Sequence, residues 1–151
     1  MTLRYVANYE YLEEFSIQTN DKMQLYLFPN QCPKLKILKL ENTSVQEEHV
    51  NWNLACIAIN HSRSLQELHL TFYGTHSNEN FLHYFLTKIA ENMPQLQYVS
   101  IAYNSRATQL FSTAIAQQNI IQEITSQKNI KIKTRDMRVG SEMLFVGDRV
   151  F

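Results

Sequence analysis

The chain has 151 residues, 44% of them hydrophobic, with 14 basic and 14 acidic side chains and a formal net charge of zero. That length is enough for one domain with its own core, and that hydrophobic share excludes a disordered chain. Neutrality gives no bulk attraction to nucleic acid or to an anionic membrane, and three glycines leave little for a glycine-rich phosphate cradle.

Taken in chain order, residues 1–11 read as the end of a helix, with Leu3, Tyr5, Val6 and Tyr9 apolar. They carry no basic stretch ahead of an apolar core, so a secretory leader is not expected. They also offer no polar capping element, so the chain is expected to be the C-terminal part of a longer protein or a natural truncation. A first short strand follows in Leu12-x-x-Phe15-x-Ile17, and a second in Leu35-x-x-Leu38-x-Leu40. Helical periodicity then runs over 44–60, where Val45, Val50, Leu54, Ile57 and Ala58 share a stripe. Ser44 with Glu47 forms a capping-box pattern at its start. Trp52 lies in this helix and is expected to fill core.

The strand phrase returns as Leu65-x-x-Leu68-x-Leu70. A second helix is predicted over 78–92, with Phe81, Leu82, Phe85, Leu86 and Ile89 inward and Pro94 just past its end. Leu96-x-x-Val99-x-Ile101 is the fourth strand, and a third helix is predicted over 106–126 with Leu110, Phe111, Ala114, Ile115, Ile121 and Ile124 apolar. A degenerate fifth phrase ends in Ile130-x-Ile132. Residues 131–139 alternate loosely, Gly140-Ser141 suits a hairpin turn, and 142–146 can return as a strand that protects the last edge.

The leading leucines of the four clear phrases, Leu12, Leu35, Leu65 and Leu96, lie 23, 30 and 31 residues apart. A near-fixed spacing of that size marks stacked repeats, each one strand, loop, helix and return. Alternating strands and helices imply parallel strands joined by crossovers. The fold class is therefore α/β: one domain over 1–151, a curved parallel sheet inside, helices outside, and a C-terminal hairpin.

These phrases resemble the leucine-rich repeats, and the long period with helices is similar to the ribonuclease-inhibitor-like class. Cys32-Pro33-x-Leu35, echoed by Met93-Pro94-x-Leu96, resembles repeats of F-box leucine-rich proteins. The resemblance covers about residues 10–133. It implies a protein-recognition solenoid, with the substrate-receptor arm of an F-box-type ubiquitin ligase as the specific form. No F-box motif stands in the sequence itself. The family's asparagine or cysteine after the strand is matched by Asn20 and Asn104, but Thr43 and Tyr73 replace it in two units.

If the strands line the concave side, outward positions form columns of candidate protein-binding residues. The first reads Glu14, Ile37, Glu67, Tyr98, Asn129; the second Ser16, Lys39, His69, Ser100, Lys131; the third Gln18, Glu41, Thr71, Ala102, Lys133. Tyr98 and Ile37 are apolar anchors of the kind that dominate interfaces. Phe72, Tyr73, Tyr103 and Arg106 follow strands and form a second candidate set on the loops, against the alternative that Phe72 and Tyr73 fold under the loop and fill core. The partner expected is another protein, bound through the concave face or these loops.

The basic run Lys128, Lys131, Lys133, Arg135, Arg138 reads first as a solvated end of the domain; of the two binding readings, an acidic protein segment suits it better than nucleic acid, because Asp136 interrupts it and aromatic interleaving is absent. The histidines His49, His61, His69, His76 and His83 show no ligand spacing, so no metal, cofactor or small-molecule substrate is expected. Cys32 and Cys56 make no disulfide framework and are expected to be reduced, which fits an intracellular, cytoplasmic or nuclear, setting. Enzyme motifs are absent; Glu67 and His69 could pair as acid and base, but an open surface does not perturb them much, so catalysis is not expected. Two alternatives remain. One is a regulator that inhibits or activates an enzyme; the basic turn of the face argues against an inhibitor of a basic nuclease. The other is a structural subunit held by its helical back.

Overall fold

The structure is a computed structural model that describes residues 10–20, 33–43, 52–53, 63–73, 79–103, 114–137 and 140–151. The elements in order are β1 (Glu14–Thr19), β2 (Ile37–Asn42), β3 (Glu67–Phe72), α1 (Glu79–Asn92), β4 (Tyr98–Tyr103), α2 (Ala114–Gln127), β5 (Lys131–Asp136), β6 (Ser141–Val146) and β7 (Arg149–Val150). The strands make one mixed sheet in sequential order, β1-β2-β3-β4-β5-β6-β7. The first five pair in parallel, and the last two return antiparallel.

The repeated phrase explains the register. Its fourth and sixth residues fall on one side of each strand, so stacking places Phe15, Leu38, Leu68, Val99 and Ile132 in one row. Ile17, Leu40, Leu70, Ile101 and Thr134 make the next. Phe85, Leu86 and Ile89 of α1 and Ile121 and Ile124 of α2 are buried in the same cluster as these rows. The helices therefore cover this side of the sheet. The phrase's first leucines, Leu35, Leu65 and Leu96, are buried there too.

Main-chain bonds repeat with the same unit. The carbonyl before each strand accepts two N–H groups from the next: Glu13 from Lys36 and Ile37 (2.8 and 3.0 Å), Lys36 from Gln66 and Glu67 (2.8 and 2.9 Å), Gln66 from Gln97 and Tyr98 (2.8 and 3.1 Å). Thr43, which stands where the resembled repeats place asparagine, donates both its N–H (2.8 Å) and its hydroxyl (3.2 Å) to the Thr19 carbonyl. Ser64 donates to the Pro33 and Leu35 carbonyls at 3.0 and 2.7 Å, tying one return turn to the previous one.

α1 occupies nearly the predicted span and stops before Pro94. α2 is described from Ala114, so the first part of the predicted third helix lies outside the described residues, with Leu110, Phe111 and Arg106. The same holds for residues 1–9, for Cys32 and Cys56, and for the first predicted helix except Trp52 and Asn53, which are helical. Asn53 is fully buried whereas Trp52 is 44% exposed, so the expectation of Trp52 as core filler is corrected. Neighbours on a helix point about 100° apart, and here the asparagine takes the inward direction.

The antiparallel return of β6 is where the sequence placed it. Gly140 at φ 72° allows the turn, and its N–H donates to the Asp136 carbonyl at 2.7 Å. β7, which was not foreseen, turns back at Gly147 (φ 60°), and its last step exchanges bonds between Leu144 and Phe151 at 3.1 and 2.8 Å.

Candidate functional site: the open face of the sheet

Alternation sends the remaining strand residues to the side away from the helices. The register fixes their columns as Glu14, Ile37, Glu67, Tyr98, Lys131, then Ser16, Lys39, His69, Ser100, Lys133, then Gln18, Glu41, Thr71, Ala102, Arg135. The first four members of each column match the sequence expectation. The fifth is a correction: Lys131 stands beside Tyr98 rather than Ser100, Lys133 beside Ser100 rather than Ala102, and Asn129 precedes the strand. The cause is a longer return after α2, where the Ile130 N–H donates to the Lys128 carbonyl at 2.8 Å and the strand starts only at Lys131. The shift is two residues, so every side chain stays on its predicted face.

The loop set divides. Phe72 is the last residue of β3 and 1% exposed, so it fills core and does not face a partner. Tyr103 ends β4 on the same side as Val99 and Ile101 and is half-buried, which corrects its placement on an exposed loop. Both follow from one fact: the strands run one step longer than the phrase, and that step points inward. Tyr73 is exposed, and its phenol hydrogen-bonds Glu41 on the open face.

Across β1–β4 some of the charged groups pair along a diagonal. Lys39 reaches Glu14 at 2.9 Å, and His69 Nε2 lies 3.1 Å from Glu67 Oε2. The His69 ring packs against Tyr98 at 5.5 Å between centroids, tilted by 49°. The hydrogen bond and charge of Glu14, with Glu67 further off, hold the Lys39 ammonium above its ordinary pKa. Such exposed pairs add little to stability, so their main effect is on the field of the surface. Lys39 answers only Glu14, so Glu41 and Glu67 leave this half with an excess of negative charge, and a partner meets an acidic, hydrogen-bonding surface with Tyr98 at its end.

The β5–β7 half differs. Lys131, Lys133 and Arg135 run along one strand, and Arg149 shares their face through its pairing with Val146. Glu142 is the carboxylate among them, 3.3 Å from Lys133 and 3.9 Å from Arg135. Asp136 does not interrupt this cluster: it is 7% exposed and lies on the core side, at the position of Tyr103 in the next strand. This corrects the sequence reading, which had counted it against the basic run. Arg138 lies outside the described residues, and Lys128 sits behind, at the end of α2. Among the described residues no group of histidine, cysteine or acidic side chains is placed to hold a metal, and no helix is long and apolar enough to cross a membrane.

The two shifted tyrosines give a pH prediction. The hydrogen bond to Glu41, then burial, raises Tyr73 above its usual 10.0, and burial, then the Asp136 charge, raises Tyr103. A raised tyrosine favours the protonated folded form. Its contribution is complete below pH 10.0 and is lost as pH climbs through the raised folded-state value. Denaturant midpoints should therefore fall above pH 10, less steeply in a Tyr103→Phe variant. An unchanged alkaline slope in that variant would refute the assignment.

No family model matches the sequence, and no curated protein or solved structure matches the chain.

Proposed function

We propose that this chain is a protein-recognition module whose open strand face receives the partner and whose helices form the back. The supporting observation is the unequal treatment of the two sides of the sheet. One side is sealed by α1 and α2 over a continuous apolar core. The other carries an ordered grid of polar, charged and aromatic side chains with no element over it among the described residues. A surface that combines hydrogen-bonding groups with a central aromatic such as Tyr98 suits association with another protein.

The repeated phrase, the sequential parallel strands and the repeated carbonyl bonds favour a stacked, curved leucine-rich solenoid of the ribonuclease-inhibitor-like kind. Within that reading, Cys32-Pro33-x-Leu35 and Met93-Pro94-x-Leu96 favour the substrate-receptor arm of an F-box-type ubiquitin ligase, working inside the cell. The role is scaffolding rather than catalysis. Glu67 and His69 meet part-buried on the open strand face, and among the described residues no element closes over them to exclude water.

The test is cross-linking of partners from lysate to the wild type and to a Lys39→Glu, His69→Ala, Tyr98→Ala variant, with Lys88→Glu on α1 as control. Partners kept by the wild type and the control but lost by the triple variant are expected. Retention by all three would move recognition to the helical back and favour a structural subunit of an assembly.

A further inference from the structure

We infer that the β4–β7 end of the open face is a docking site for an acidic peptide segment, which seats one apolar or aromatic side chain between Tyr98, Leu144 and Phe151. This deepens the recognition reading above and rests on it.

The apolar part of the site is formed by the β6–β7 return. β6 alternates, so Phe145 enters the core while Leu144 takes the open face beside Lys133. The paired main-chain bonds between Leu144 and Phe151 set the Phe151 ring next to it, 68% exposed. With Tyr98 on the other flank and Glu142 at the rim, they enclose a notch of about 380 Å³. Large apolar side chains left uncovered around a concavity are the usual receiving end of an interface anchor.

The charge beside the notch selects the occupant. Lys131, Lys133, Arg135 and Arg149 face outward there, four cations against the Glu142 side chain and the terminal carboxylate on Phe151. Glu142 is already shared by Lys133 and Arg135, and Lys131 and Arg149 have no carboxylate partner among the described residues. Neighbouring acids do not correct the excess. Asp136 faces the core, and Glu67 stands on β3, two strands away from Lys131. The turn bearing Asp148 is drawn to the helix side by Thr125, whose hydroxyl donates to Gly147 at 2.6 Å, and by Gln122, which donates to the Asp148 carbonyl at 3.2 Å. Lys131, Lys133 and Arg135 repeat every second residue, roughly 6.6 Å apart, which is also the spacing of same-side residues in an extended peptide. An extended segment with acids on one side therefore matches them in step. Single-stranded nucleic acid fits less well, because stacking asks for successive aromatic platforms, whereas Tyr98 and Phe151 flank a single notch with a carboxylate on its rim.

The test uses the full chain and a fluorescein-labelled peptide of alternating Asp and Glu around a central Phe, followed by anisotropy. Saturable binding is expected, weakening with salt, and lost by about tenfold or more in Lys131→Glu, Arg149→Glu. Replacing the central Phe of the peptide with Ala, or making Leu144→Ala, should weaken it severalfold, while Lys88→Glu on α1 leaves it unchanged. Thermal melts of each variant confirm that the fold is retained; the two reversed cations are exposed and make no ion pair among the described residues. Equal binding of a matched lysine-rich peptide, or no response to charge reversal, overturns the proposal. Tighter binding of labelled oligothymidylate with the same variant sensitivity also overturns it and assigns the patch to nucleic acid. Cross-linked partners that still map to Lys39, His69 and Tyr98 would show that the broader recognition reading survives such a failure.

Discussion

Leu68→Ala should cost about 2–5 kcal/mol of folding stability, the range for emptying an enclosed leucine site. Leu68 stands in the middle of β3, paired with Leu38 on one side and Val99 on the other, and is wholly buried. Phe85 and Leu86 of α1 belong to the same core. The backbone on both sides is locked into the sheet, so the cavity cannot close by collapse. Ile17→Ala on β1 should cost less, because Ile17 has a strand neighbour on one side only among the described residues and retains 8% exposure. Urea titrations of both variants, with the slope checked for two-state behaviour, measure the difference. Equal losses at the two positions would mean that the core is not deepest at β3.

The parts of the fold that were legible in the sequence are those where a periodic pattern and the packing agree. Leu35, Leu38 and Leu40 recur as Leu65, Leu68 and Leu70 and as Leu96, Val99 and Ile101, and a strand with one apolar face can only be read in one register. The open-face columns came from the same alternation. Failures occurred where the phrase decays. In the fifth unit, Ile130 and Ile132 looked like the two inward residues, but Ile132 takes the fourth place, opposite Val99, and Thr134 the sixth, while Ile130 is buried just before the strand. A hydroxyl in a core row gives no hydrophobic signal, so the register slipped by two. Asp136 was misread for a related reason. A carboxylate beside Lys133 and Arg135 looks like surface, and its burial at the end of β5 is visible only once Tyr103 is placed beside it.

The candidate site was legible as a surface but not as two halves. Which cations are in excess depends on cross-strand distances: Glu14 answers Lys39, whereas Glu142, from a strand that runs the other way, serves both Lys133 and Arg135. A chain with zero net charge can therefore present an acidic surface over β1–β4, with three carboxylates to one lysine, and a cationic one over β5–β7. The apolar notch was beyond sequence reading as well, since Phe151 reaches Leu144 only through the unforeseen β7 return.

Phe145→Ala is expected to combine the second large stability loss with a loss of binding. Removing a buried phenylalanine costs about 3–5 kcal/mol. Phe145 is buried between Ile132 and Val150, its partners on β5 and β7. The return it anchors is held elsewhere by its ladder with β5 and by the Thr125 and Gln122 bonds to the Gly147 and Asp148 carbonyls. Without the ring, β6 and β7 lose their most deeply buried side chain, leaving Met143 and Val150 partly buried against the core, and the positions of Leu144 and Phe151 on the other face loosen. Phe145→Ala should thus lower both the melting temperature and the affinity for the acidic peptide, measured under conditions where the variant is still folded. Leu144→Ala, one residue away on the opposite face, should lower affinity with little change in melting. If Phe145→Ala melts like the wild type, the return is not part of the cooperative core. If it melts earlier but binds the peptide unchanged, the notch is not what receives the anchor. The alternation of a single strand thus separates the residue that holds the site in place from the residue that meets the partner.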